Sequence, residues 1–200
     1  MRKKLCVLLS AAIALSALLC GCTAFSADAG GDLAGQWKTT VPLAPLSADM
    51  PVSESELADI GFDLIFNFEQ DGSFRAIVDQ VSVRKMIDDL VEIVVRHLSD
   101  TAQQQGISRQ ELRETIYEKV DPDAVIEKME GSFSSGWYRY QNDTLYISDT
   151  ESVRKDPASK WRERLTVSAD KTKLTVTGIE SKFGSATTFE NLLPLVFEKQ

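Results

Sequence analysis

The sequence is poor in the residues that build metal-binding or reactive centres. Its 200 residues contain one histidine and three cysteines, which leaves little material for a site with imidazole and thiolate ligands. Basic residues are outnumbered, with 22 Lys and Arg against 30 Asp and Glu, for a net charge of −8. Nucleic-acid binding needs clustered basic residues, so this balance argues against a nucleic-acid partner. The 6 prolines and 11 glycines exclude a low-complexity polymer, and 43% apolar residues indicate a globular chain.

Catalytic motifs are also missing from the chain. It contains no G-x-S-x-G nucleophile elbow, no H-E-x-x-H motif and no Walker phosphate loop. Ser134 and Ser135 have no base close to them in sequence, and His97 flanks the apolar stripe of a predicted helix. Residues 121–123 (Asp-Pro-Asp) lack the Gly and Glu of a calcium loop and instead match a helix start. We therefore predict a protein that is not an enzyme and has no metal and no cofactor, although a pair of carboxylates with acid–base function stays an open alternative.

The N-terminus has the pattern of an export signal. Arg2, Lys3 and Lys4 precede a run of 15 mostly apolar residues, from Leu5 to Leu19. A helix needs about 20 residues to span a bilayer, so this run is too short for a membrane span. It has the length of the apolar core of a signal peptide.

The end of this run resembles the lipobox of bacterial lipoproteins. Cys22 follows the small residue Gly21 and has the aliphatic residue Leu19 three positions before it, whereas Cys20 would have Leu19 directly before it and fits worse. The resemblance implies cleavage before Cys22 and attachment of diacylglycerol to its sulfur, which anchors the protein at the extracytoplasmic face of the cell membrane. Each buried methylene of an acyl chain contributes about 0.8 kcal/mol to membrane binding, so two acyl chains anchor a protein stably. The alternative is secretion without a lipid, with cleavage after Ala27-Asp28-Ala29.

This hypothesis divides the chain into a signal peptide (1–21), a flexible tether (22–33) and one domain (34–200). The tether is small, polar and rich in glycine, as flexible linkers are. Removal of residues 1–21 changes the net charge from −8 to −11 and leaves Cys22 as the last cysteine, so no internal disulfide can form. An acidic domain is repelled by anionic head groups, so the lipid has to hold the protein to the membrane.

Alternating apolar residues predict that the domain is mainly β. The alternation is clearest in residues 62–68, where four apolar side chains share one face. Turn sequences at 70–73, 142–143 and 170–171 predict tight hairpins, which makes neighbouring strands antiparallel in an up-and-down order. The pattern gives about eight strands, near residues 36–41, 62–68, 74–78, 136–140, 145–147, 165–167, 174–176 and 193–197.

A helical insertion is predicted after the third strand, in residues 80–130. An apolar stripe at Val83, Ile87, Leu90, Val94 and Leu98 predicts its first helix. On that helix we expect an i,i+4 ion pair between Glu92 and Arg96. A capping box in residues 108–111 starts a second helix, residues 121–123 start a third, and residues 53–56 can cap a short helix before the second strand.

The order of the β motifs resembles that of lipocalins and related calycin barrels, as found in bacterial lipocalin-like lipoproteins. Gly35-Gln36-Trp37 is similar to the G-x-W motif of their first strand, and residues 66–74, 136–147 and 195–199 resemble later strands. The resemblance implies an eight-stranded barrel in which Trp37 packs across the closed end. It also implies binding of a small apolar ligand or of a partner at the cell surface.

Aromatic residues of the fourth strand are the candidate ligand-binding groups. In a strand, Trp137 shares one face with Arg139, while Tyr138 and Tyr140 share the other face, so a pocket would use one of these sets. Core packing is the competing interpretation, because eight-stranded barrels can be filled by their own side chains. In that case the protein is a structural or protein-interaction module, and its helices form the contact surface.

Overall fold

Eight antiparallel strands form a closed barrel in the computed structural model, which describes residues 33–46, 52–131, 135–182 and 190–200. Each strand pairs with the next in sequence, and the last strand returns to the first, where Trp37 lies opposite Lys199. The predicted up-and-down barrel is therefore confirmed. The strands are β1 (Gly35–Pro42), β2 (Gly61–Phe68), β3 (Ser73–Val78), β4 (Ser135–Gln141), β5 (Thr144–Ser148), β6 (Glu163–Ala169), β7 (Lys173–Ser181) and β8 (Leu195–Lys199).

The predicted hairpin turns are present, and their backbone conformations explain the residues found in them. Gly72 has φ +83°, which an L side chain rarely adopts, and it closes the β2–β3 turn. Asn142 and Asp143 have φ 50° and 55°, the pair of positive values that a two-residue hairpin requires. In the β6–β7 turn, the Asp170 carboxylate accepts hydrogen bonds from two following backbone amides.

Three helices separate β3 from β4, as the predicted insertion requires. The first begins at the N-cap Asp79, whose side chain accepts a hydrogen bond from the Ser82 amide. The second begins with the predicted capping box at Ser108, and Asp121 caps the third. The helices are α1 (Glu54–Leu57), α2 (Gln80–Gln104), α3 (Arg109–Val120), α4 (Pro122–Glu130) and α5 (Pro157–Lys160), with 3₁₀ turns at Ala44–Leu46 and Glu151–Arg154.

Helix α2 is buried over a wider surface than the predicted stripe. Val83 and Ile87 are buried as expected, but Leu90 is only partly buried, whereas Ile93 and Val95 are buried outside the stripe. The helix packs against β2 on the barrel and against α3 and α4. A helix with neighbours on more than one side buries apolar residues around most of its circumference.

Two local predictions were wrong. Glu92 does not pair with Arg96 but bonds Arg109 and Arg113 of α3, at 2.9 and 2.7 Å, while Arg96 lies 3.7 Å from Glu56 of α1. Tertiary packing brings these partners close, and an exposed i,i+4 pair contributes too little to compete with them. The last strand begins at Leu195 rather than at residue 193, because Pro194 has no N–H for the sheet.

One apolar cluster joins the inside of the barrel to the helical insertion. It contains inward-facing residues such as Phe62 and Val176, buried residues of α2 such as Val91, and Ile116 and Met129 of the two following helices. The insertion therefore contributes to the same core as the strands. Removal of apolar area from water is the main contribution that such a core makes to stability.

Candidate functional site

The two ends of the barrel differ. Because successive strands run in opposite directions, the tight turns at 69–72, 142–143 and 170–172 all lie at one end, which we call the closed end. The opposite end, called the open end, carries every long connection: residues 43–60, the helical insertion, and residues 149–162 and 182–194. A site for a small molecule in such a barrel is expected at the mouth formed by the longer connections.

Trp37 lies at the closed end with no exposed surface, and its indole N–H donates to the Leu33 carbonyl at 2.7 Å. The Lys199 ammonium lies 5.0 Å from the centre of the Trp37 ring. Gly35 has φ +127°, and a Cβ there would lie 2.9 Å from Lys199 Cε. The G-x-W residues thus form a packed structural element in which the glycine leaves room for the lysine.

Five aromatic rings pack against one another inside the barrel. Phe66 stacks on Phe197 with ring centres 5.0 Å apart, and Phe68 meets Tyr138 edge-on at 4.7 Å. Phe74 lies within 6.4 Å of Phe66, at a steep angle. Such tilted and offset contacts are favourable beyond the burial of area. This aromatic cluster (Phe66, Phe68, Phe74, Tyr138 and Phe197) occupies part of the barrel interior with the protein's own side chains.

The three candidate ligand-binding aromatics do not meet in one place. Tyr138 is fully buried inside the barrel, its hydroxyl donates to the Glu69 carbonyl at 3.1 Å, and burial raises its pKa. Tyr140 shares that face, is partly buried, and its hydroxyl donates to Asp143 Oδ1 at 3.3 Å. Trp137 lies on the outer face, as its position in the strand predicts. A common pocket for all three is therefore excluded by the alternation of the strand.

Trp137 is nevertheless buried, because a connection folds back over the outside of the barrel. Only 2% of its surface is exposed, and the guanidinium carbon of Arg154 lies 5.5 Å from its ring centre. Arg154 also bonds Glu151 at 3.2 Å. The indole Nε1 of Trp137 and the Nε of Arg154 are buried and lack hydrogen-bond partners among the described residues. This cation–π contact packs the 3₁₀ turn onto β4 and lies away from the barrel interior.

Glu163 is a carboxylate buried on the inner face of the barrel at its open end. It begins β6, shares a face with Leu165 and Val167, and is only 9% exposed. Its neighbours across the sheet are Ile147 on β5 and Ser181 on β7. Within the described part of the chain, no group donates a hydrogen bond to this carboxylate or forms an ion pair with it. A buried charge without a partner is costly, and functional sites are where such groups concentrate.

Burial raises the pKa of Glu163 from an ordinary 4.5 to about 7, against the opposing effect of the positive charge of Arg162. The Arg162 guanidinium bonds Asp149 at 2.9 Å. Glu163 was not among the predicted site residues, because the predicted strand began at Leu165. The signal was present, since a residue two positions before Leu165 falls on the same inward face.

The single histidine takes part in a contact between helices. His97 Nε2 lies 3.0 Å from Glu56 Oε1, and nearly half of the imidazole is exposed. Hydrogen bonds from the Ser53 hydroxyl and amide, together with His97, lower the pKa of Glu56. These contacts tie α1 to α2.

Several predicted features lie outside the described residues, namely the signal peptide, residues 22–32 of the tether with Cys22, and Ser134; Leu33, given to the tether by the sequence, is described and is buried in the core. Among the residues that are described, no group of three or more His, Cys, Asp and Glu side chains could hold a metal ion. No helix in the described ranges combines the length and apolarity needed to cross a membrane. Comparisons with family models, curated proteins and solved structures give no match to this chain.

Proposed function

We propose that this protein is a non-catalytic bacterial lipoprotein, anchored through Cys22 at the extracytoplasmic face of the membrane, whose barrel binds a small, mainly apolar ligand at its open end. The asymmetry of the barrel carries the binding part of this proposal. Tight turns and the aromatic cluster occupy one end, while the long connections and the buried Glu163 lie at the other. An apolar interior with a few polar groups at its mouth is typical of small-molecule sites.

The position of β1 decides which end of the barrel the proposed anchor would join. β1 begins at the closed end, so the chain preceding Leu33 joins the domain there. An anchor at Cys22 would attach at that same end of the barrel. The open end would then be the part of the domain remote from the attachment point.

The anchor is supported by the lipobox resemblance at Leu19, Gly21 and Cys22, and it is tested by intact mass and by cell fractionation. We expect the wild-type protein in the membrane fraction, with the added mass of a diacylglycerol, and Cys22→Ser without that mass and released from membranes. Cys20→Ser is the matched control and should fractionate as the wild type does. A membrane-bound Cys22→Ser protein would contradict the proposal.

Ligand binding is tested by native mass spectrometry of protein purified from its own host. We expect a population that carries a small molecule, which dissociates when the protein is unfolded. A spectrum with only the bare protein, from a preparation that has never been denatured, would contradict ligand binding.

A second candidate function is an interaction module with a filled barrel. It is favoured by the five rings of the aromatic cluster, which occupy the interior with the protein's own side chains. In this case the helices α2, α3 and α4 would form the contact surface for a protein partner.

A further inference from the structure

We propose that Glu163 binds the ammonium group of a small amphiphilic amine at the open end of the barrel. This inference rests on the proposed ligand-binding function and adds the chemical class of the ligand. It starts from the geometry of one side chain, which is buried, faces inward, and lacks a partner in the described residues.

The surroundings of Glu163 define the two parts of the ligand. The residues that follow it on the same face, Leu165 and Val167, are apolar and buried, as is Ile147 across the sheet. These side chains can contact a hydrocarbon body but offer it no hydrogen bonds. A ligand that lies against them and ends at the carboxylate therefore has an apolar body and one polar group.

The sign of the polar group follows from charge. A buried carboxylate repels an anionic ligand and is stabilised by a cation that brings its own hydrogen bonds. An ammonium group supplies both, because it has a positive charge and three N–H donors. A divalent metal is a poor alternative, because it needs several oxygen ligands and no group of three or more His, Cys, Asp and Glu side chains among the described residues could hold a metal ion.

The neighbouring residue Arg162 does not already serve as the cation that pairs with Glu163. The guanidinium of Arg162 bonds Asp149, and it forms no ion pair with the Glu163 carboxylate. The adjacent outer-face residue, Arg164, bonds Glu180 at 2.5 Å. Both arginines are therefore paired with other carboxylates, and the inward-facing carboxylate stays available to a bound cation.

The experiment uses three soluble probes of equal length: hexylammonium, 1-hexanol and hexanoate. Their binding to the purified protein is measured by isothermal titration calorimetry at about pH 8 in phosphate, where Glu163 is ionised. We expect hexylammonium to bind most tightly and hexanoate most weakly. Glu163→Gln should lower the affinity for hexylammonium about tenfold or more and leave that for 1-hexanol unchanged.

Glu180→Gln is the matched control, because it removes a carboxylate at the same end of the barrel but on the outer face. We expect it to bind hexylammonium as the wild type does, and 1-hexanol binding confirms that each variant keeps its apolar site. Equal hexylammonium affinity in wild type and Glu163→Gln would overturn the assignment of Glu163 and leave ligand binding standing. An equal loss of hexylammonium affinity in Glu163→Gln and Glu180→Gln would also overturn the assignment of Glu163 and leave ligand binding standing. If none of the three probes binds the wild-type protein, both the inference and the proposed ligand binding fail.

Discussion

Replacing Glu163 by Gln should stabilise the protein, and the gain should depend on pH. In the folded protein, burial raises the pKa of Glu163 to about 7, whereas the unfolded chain has the ordinary 4.5. Between these two values the folded state binds more protons than the unfolded state. The contribution of Glu163 to the free energy of unfolding therefore falls as pH rises through this interval and levels off above about pH 7. Glutamine is similar in size and stays neutral, so the Glu163→Gln protein does not lose this part of the free energy of unfolding as pH rises.

The difference between the two pKa values sets the size of the effect. Each pH unit between them is equivalent to about 1.4 kcal/mol, so the penalty carried by ionised Glu163 reaches about 3 kcal/mol above pH 7. Below about pH 4.5 the penalty vanishes, because the carboxyl is protonated in both states. For a domain of this size, 1 kcal/mol shifts the melting temperature by about 2–4 °C, so Glu163→Gln should melt about 6–12 °C higher at pH 8.

Urea unfolding at a series of pH values, in an amine-free buffer, measures this difference directly. We expect wild type and Glu163→Gln to have similar free energies of unfolding near pH 4.5, and the difference between them to grow as pH rises to neutral. Glu118→Gln is the control for the loss of one carboxylate, because Glu118 is exposed on α3. A difference for Glu163→Gln that stays constant with pH would refute the reasoning, since it would show that the carboxylate does not titrate in the folded state at a raised pKa.

Three further predictions test other parts of the structure. Trp37→Ala should lower the free energy of unfolding by about 3–5 kcal/mol, because it truncates a fully buried ring, and denaturant unfolding measures this. Gly72→Ala should destabilise the protein by more than about 1 kcal/mol, since its φ is +83° and the added Cβ would lie 2.8 Å from Arg154 Nε; an unchanged melting temperature would contradict this. Arg113→Ala should lower the free energy of unfolding by less than about 1 kcal/mol, because its ion pair with Glu92 is partly exposed, and denaturant unfolding measures this.

The barrel could be predicted because its strands follow a simple rule. In residues 62–68 every second residue is apolar and the residues between them are polar except Ile65, and Asn142-Asp143 favours a two-residue turn. A strand that buries one face must alternate in this way, and short turns leave antiparallel pairing as the available topology. Helix starts were equally local, since the capping box at Ser108 involves only residues within one turn.

Features that depend on distant parts of the chain could not be predicted in this way. Alternation places Trp137 on the outer face, but it does not reveal that Arg154 folds back and covers the ring. The partners of Glu92 and Arg96 were missed for the same reason, because each lies on another helix. Local spacing says which residues can interact, while packing of the whole chain decides which of them do.

The seam between the first and last strands has a consequence for assembly. Trp37 lies opposite Lys199, and the Gln200 amide donates to the Gln36 carbonyl at 2.9 Å, so the cylinder is completed by contacts between sequence-distant segments. A chain that emerges N-terminus first leaves the free edges of β1 and β7 unpaired until residues 195–200 arrive. Edges of this kind can pair with other chains, and distant pairings form slowly. The time between emergence and seam closure is therefore when a newly made molecule is most exposed to aggregation and proteolysis.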